Sequence, residues 1–173
     1  AALVETASHR LLFDTGPRYD DHADAAARVV TPYLRGHGVE ALDTLVVSHE
    51  DSDHAGGTET VIEAVPVRTM LASLPRGHAL RETAEERDIH FTDCLAGQVW
   101  TWDEVVFEVL HPMRLPAEGE RVASNARSCV LRISNGRHAA LLTGDIEAPQ
   151  EAALVAGETP ERLMADILLV PHH

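Results

Sequence analysis

Cysteine is scarce in this 173-residue sequence, which has Cys94 and Cys129 and no others. Their spacing is not C-x-x-C, so they define neither a disulfide scaffold nor a thiolate metal site. They permit one bridge at most and leave the redox compartment open. No apolar run approaches the ~20 residues that span a bilayer, and no basic segment followed by an apolar one opens the chain. The stretch is therefore expected to be soluble. Repeats, low-complexity blocks, Pro/Gly/Ser-rich linkers and Gly-rich phosphate loops are all missing. Basic residues are half as common as acidic ones, 14 against 28, which gives a net charge of −14. A field of that sign repels nucleic acid and disfavours a DNA binder with a basic groove. It suits a protein that holds cations, and the eleven histidines point the same way. Hydrophobic residues at 45% and charged residues at 24% exclude long disorder, collagen and coiled coil. The length fits one domain, residues 1–173, with a core that needs no disulfide or metal merely to fold.

Patterning gives alternating strands and helices. Residues 3–6 and 10–13 read as strands, the second ending in the turn Asp14-Thr15-Gly16-Pro17. Residues 24–35 carry apolar side chains at helical spacing, with Pro32 as a candidate kink. Residues 42–47 form a short apolar run suited to a buried strand. Helix 59–64, strand 65–71 and helix 80–87 follow, the last with Arg81 and Glu85 as an i,i+4 pair. The second half is β-rich: residues 99–102, 105–110, 128–133 and 138–143 read as strands, with Asn135-Gly136 as a hairpin turn. Helix 148–156 and a last buried strand, 166–170, complete an α/β fold. The first strand starts at residue 1 and the chain stops just after the last one, so both ends are expected to be cut short. The same abrupt ending leaves a tag remnant as one reading of the final two histidines, although the apolar strand runs straight into them.

The chemistry gathers in His49-Glu50-Asp51-Ser52-Asp53-His54, two imidazoles and two alternate carboxylates at the C-terminal end of a strand. Ala55, Gly56 and Gly57 behind it let side chains converge. This is a mixed N/O ligand set for Zn²⁺ or Mn²⁺. The bland alternative is an acidic, solvated loop with two histidines. Three further strands end in Asp14, in Thr143-Gly144-Asp145 and in His172-His173. Alone these read as a turn-former, a helix N-cap and a weak signal. Together, four strand ends finishing in Asp or His read as a two-metal site.

Phe13-Asp14-Thr15-Gly16, His49-x-Asp51-x-Asp53-His54-x-Gly56-Gly57, Thr143-Gly144-Asp145 and Pro171-His172-His173 match, in order, motifs of the metallo-β-lactamase superfamily. The chain resembles that superfamily over essentially its whole length. More narrowly it resembles the C-terminal domain of the ComEC family of bacterial DNA-uptake channels. Val30-x-Pro32-Tyr33-Leu34-Arg35, Asn125-x-Arg127-Ser128-Cys129-Val130-Leu131-Arg132 and Leu168-Leu169-Val170-Pro171-His172-His173 carry that narrower match.

The resemblance implies a four-layer αββα sandwich of two mixed sheets flanked by helices, and two divalent ions. By carry-over His49 and Asp51, with Asn125 as a third, hold the first ion. Asp53, His54 and His172 hold the second, and Asp145 bridges the two. Asp14 orients a ligand histidine, His173 is the alternative to His172, and Arg127 is a candidate substrate contact. Asp53 and Asp145 would be the catalytic residues. The superfamily motif H-x-H-x-D-H has Asp51 for its second His, and Asn125 stands where a later His is expected. Both changes trade nitrogen for oxygen and favour Mn²⁺, with Zn²⁺ or Mg²⁺ as alternatives.

The implied activity is a metal-dependent phosphodiesterase, a nuclease that degrades one strand of incoming duplex DNA. Its partners would be DNA and the rest of a membrane channel protein with OB-fold and transmembrane domains. The implied setting is the inner membrane, with this domain on the outer side. Two alternatives stand beside this reading: a small-ester or phosphoester hydrolase of the same fold, and a non-catalytic docking module. Elsewhere, Trp100 and Trp102 share a strand face, and packing is preferred to base stacking because no basic residues interleave. Arg127 and Arg132 read as phosphate contacts or as a solvated face. His9, His22, His37, His78, His90, His111 and His138 read as surface or satisfied core. Nothing frames Ser128 or Cys129 as a nucleophile.

Overall fold

A computed structural model describes residues 1–20 and 22–172. The chain is a mixed α/β fold with two main sheets plus helices, and it divides into two compact units, Ala1–Asp93 and the stretch from Cys94 onward.

In the first unit, β1 (Ala2–Glu5) and β2 (Arg10–Phe13) form an antiparallel hairpin, and β3 (Arg18–Asp20) and β4 (Ala23–Asp24) a small separate one. A π-helical turn, Ala26–Val30, runs into α1 (Thr31–Gly36). Then come β5 (Leu42–Val47), α2 (Ser52–Ala55), α3 (Thr58–Ala64), β6 (Val67–Ala72), α4 (Ala79–Glu86) and β7 (His90–Asp93). The sheet order is β1-β2-β5-β6-β7, parallel from β2 onward. Each crossover through a helix returns the next strand in the same direction, so C-terminal strand ends collect along one edge. Leu12, Leu34, Leu45, Val61, Met70 and Leu80 are among the core residues beneath them.

In the second unit, β8 (Val99–Trp102), β9 (Val105–His111), β10 (Val130–Ser134) and β11 (Ala139–Leu142) run antiparallel. After α5 (Ala148–Gly157) and α6 (Pro160–Leu163), β12 (Ile167–Leu169) pairs parallel with β11. Glu147 and Gln150 form a capping box at the start of α5. A disulfide joins Cys94 to Cys129, the one bridge the sequence permits. Trp100 stacks on Phe107 at 5.1 Å and Trp102 tilts against it at 5.0 Å, so the tryptophans pack on a core residue. Among the described residues no helix is long and apolar enough to cross a membrane.

Four sequence expectations change. The single helix over 24–35 is a π turn followed by α1: Thr31 N–H closes on the Ala26 carbonyl, and Pro32 has no N–H to offer Arg28. Arg81 does not serve Glu85. Its guanidinium donates to the Leu74 and Pro75 carbonyls and to Asp93, and lies 4.3 Å from the Phe91 ring centre, a richer set than one exposed pair. Arg132 is not a solvated residue, since it pairs with Glu108 at 3.3 Å. The last strand is not buried: Ile167, Leu168 and Leu169 are 65%, 53% and 39% exposed, because β12 is the sheet edge.

Candidate functional site

Parallel pairing of β2 with β5 sets Phe13 opposite Val46, so the residues that follow each strand emerge side by side. Asp14 N–H extends the ladder to the Val46 carbonyl at 2.8 Å, and Asp14 then turns at φ +58°, a left-handed conformation that Asp tolerates better than most residues. The turn brings its buried carboxylate back over the start of the His49–His54 segment. It accepts from Ser48 N–H (2.8 Å), from Ser48 Oγ (3.0 Å) and from His54 Nδ1 (2.8 Å).

These contacts set both imidazoles. A carboxylate only accepts, so His54 carries its proton on Nδ1 and its lone pair on Nε2. The single Ser48 hydroxyl proton goes to Asp14, which leaves Oγ to accept from His49 Nδ1 at 3.0 Å. His49 therefore also presents an Nε2 lone pair. That Nε2 lies 3.6 Å from Asp51 Oδ2, and His54 Nε2 lies 3.6 Å from Asp53 Oδ2. The imidazoles are buried or nearly so, while both carboxylates stand over 40% exposed. Asp51, with extended ψ of 144°, precedes α2, and its carbonyl accepts from His54 and Ala55 N–H. Thr15 N–H and Oγ1 both donate to the His54 carbonyl at 2.9 Å. The donor set, two imidazole nitrogens aimed at two carboxylates, fits a divalent cation.

The second unit repeats the device. Leu142 of β11 lies opposite Leu169 of β12, so Asp145 and His172 leave the same end of a parallel pair. Thr143 Oγ1 donates to the Leu169 carbonyl at 2.6 Å, and Gly144 turns at φ +55°. Asp145 is buried, its N–H donates to Ser128 Oγ at 3.1 Å, and its Oδ2 lies 3.2 Å from His172 Nε2. Asn125 donates through Nδ2 to Glu147 Oε1 at 3.0 Å, which joins its short 3₁₀ turn to the N-cap of α5. Arg127 is buried beside it. His173 lies outside the described residues.

Sequence reasoning missed Ser48 and Ser128, whose hydroxyls hold the groups around them. The signal was positional: each is a small polar residue beside a strand end. His111 is a satisfied core residue: it is buried, and its Nδ1 donates to the Ser128 carbonyl at 2.8 Å. Burial lowers its pKa below the ordinary 6.5, against a smaller raising effect of that hydrogen bond. The unfolded chain then binds a proton more readily than the fold, so stability falls as pH drops below about 6.5. Melting temperatures between pH 7.5 and 5 should decline in the wild type and flatten in His111→Gln.

The family model for the metallo-β-lactamase superfamily matches residues 1–172. The chain is 37% identical to the competence protein ComA of Neisseria gonorrhoeae and 31% identical to recombination protein 2 of Haemophilus influenzae. Each alignment covers 100% of this chain, against 22% and 20% of those proteins, so the chain spans about a fifth of their length. Among solved structures, the subclass B3 metallo-β-lactamase MEM-A1, from a soil metagenome, superposes with a TM-score of 0.54 at 16% identity. It covers 83% of this chain and 55% of that one, a likeness of fold. Superfamily members are generally metal-dependent hydrolases that use divalent ions, typically zinc. The chain belongs to the metallo-β-lactamase superfamily.

Proposed function

We propose that this chain is the hydrolytic domain of a DNA-uptake protein, a metal-dependent phosphodiesterase that degrades the strand not transported. One observation carries the reading: Asp14 and Ser48 fix His49 and His54 with both Nε2 lone pairs turned toward carboxylates. Core histidines kept only for packing need no such arrangement. Relatives named for competence and recombination support the biological setting.

In this reading residues 1–173 are one domain for a pair of divalent ions. His49 and Asp51 would hold the first, Asp53, His54 and His172 the second, with Asp145 as the shared ligand. Asn125 and His173 are the remaining candidate ligands, and Arg127 a substrate contact. Bound divalent ions would supply Lewis acidity toward a phosphoryl oxygen and a lowered pKa for water. Asp14 keeps the His54 proton on Nδ1, which leaves the Nε2 lone pair for a metal. Ser48 does the same for His49. Oxygen donors at Asp51 and Asn125 support Mn²⁺ over Zn²⁺. The negative field is overcome by tethering, because a domain attached to a channel receives DNA at high effective concentration. The buried Cys94–Cys129 bridge supports an oxidising compartment, hence the outer side of the inner membrane, with OB-fold and transmembrane domains elsewhere in the parent protein.

The test is cleavage of linear duplex DNA titrated with Mn²⁺, Mg²⁺ and Zn²⁺ beside Asp53→Ala. Cleavage should require Mn²⁺ and fall to background in the variant. A protein that binds two ions and cleaves nothing under all three metals is instead a small-ester hydrolase. One that binds no ion is a docking module.

A further inference from the structure

We infer that Ser128, clamped by the Cys94–Cys129 disulfide, is the positioning residue for Asp145. Ser128 is fully buried, and its hydroxyl and its carbonyl serve different partners. Its Oγ accepts the Asp145 N–H at 3.1 Å, and its carbonyl accepts His111 Nδ1 at 2.8 Å. The next residue, Cys129, is bonded to Cys94, whose Sγ lies 3.7 Å from the His111 carbonyl. Both half-cystines are fully buried. Ser128 is thus gripped at its carbonyl by His111 and through its neighbour by the disulfide, and Cys94 sits against His111 in turn.

Asp145 belongs to no helix or strand. It lies in the loop between β11 and α5, just after the left-handed Gly144. The residue is 2% exposed and a buried N–H needs an acceptor, so the one that Ser128 offers fixes where the carboxylate can sit. The arrangement resembles the Asp14–Ser48 pair of the first unit, with one difference: there a carboxylate and a serine fix histidines, and here a serine fixes an aspartate through its backbone.

The inference rests on the assignment of Asp145 as a metal ligand, and the experiment separates the two. Metal-stripped protein is titrated with Mn²⁺ alone, and unbound ion is read by electron paramagnetic resonance. Exchange of the Asp145 amide is followed in the same samples. Ser128→Ala should weaken one of the two ions about 10- to 100-fold and speed Asp145 amide exchange by about tenfold or more. Cys94→Ala/Cys129→Ala should shift both readouts in the same direction, and Ser128→Thr, which keeps the hydroxyl, should restore them toward wild type. If Asp145→Asn loses an ion while Ser128→Ala keeps both at wild-type affinity, the positioning role fails and the ligand assignment stands. If Asp145→Asn itself keeps both ions, the ligand assignment fails and takes the positioning role with it.

Discussion

Asp14→Ala should destabilise the first unit by about 3–5 kcal/mol and abolish high-affinity metal binding. The stability loss has a definite origin. The variant leaves a buried Ser48 N–H, a Ser48 hydroxyl and the His54 Nδ1–H without the acceptor that now serves all three. It also puts alanine at φ +58°, where a Cβ without a polar side chain is disfavoured by about 1 kcal/mol. The metal loss has a different origin, since the His54 proton would be free to move to Nε2. Asp14→Asn separates the two. Asn tolerates the left-handed turn and keeps one carbonyl acceptor, so it should cost about 1–2 kcal/mol. An amide cannot fix the tautomer as a carboxylate does, so Mn²⁺ affinity should still fall about 10- to 100-fold. Urea midpoints read the first effect and Mn²⁺ titration the second. Equal loss in both variants on both readouts would mean that Asp14 is only a structural residue.

The candidate site was legible in the sequence where chemistry is dense and local. His49 to His54 declare themselves by composition, and the strand before them, Leu42–Val47, was bounded by its own apolar run. What could not be read was which strand lies beside which. That Asp14 reaches His54 follows from β2 pairing parallel with β5 at a sequence separation of 33, and no short window contains that pairing. Ser48 and Ser128 were invisible for the same reason, because a serine gains its role only from the groups that fold onto it. Arg81 shows the converse: its helical spacing to Glu85 was real, but carbonyls in the loop after β6 and a carboxylate on β7 hold it instead of an exposed pair. The apolar run at 167–170 has the composition of a buried strand, yet apolarity alone does not say whether a strand is central or lies at an edge.

Gly56→Ala should be a severely damaging single-methyl change, at about 3 kcal/mol or more. The reason is close approach and not backbone conformation, since Gly56 sits at φ −62°, open to any residue. A Cβ there would meet the Ser52 carbonyl oxygen and the Arg18 backbone nitrogen, and would lie 2.9 Å from Arg18 Cβ. Two of these are backbone atoms that cannot swing aside. At Gly57 a Cβ would press on Ala26 and stand 2.9 Å from the Thr15 carbonyl. The glycine pair therefore lets α2 settle onto the loop that follows β2, and the Thr15-to-His54 bonds then tie the two together. Displacing α2 moves His54 away from Asp14, so Gly56→Ala should lose metal affinity together with stability. Gly36, with no atom within 4 Å of a Cβ built on it, provides the opposite sign. Gly36→Ala lies in the last turn of α1 and should stabilise by about 0.5–1 kcal/mol through its better helix propensity. Paired urea denaturation of the two variants decides the matter: shifts of the same sign and size would show that the glycines after His54 have no steric role in holding the site.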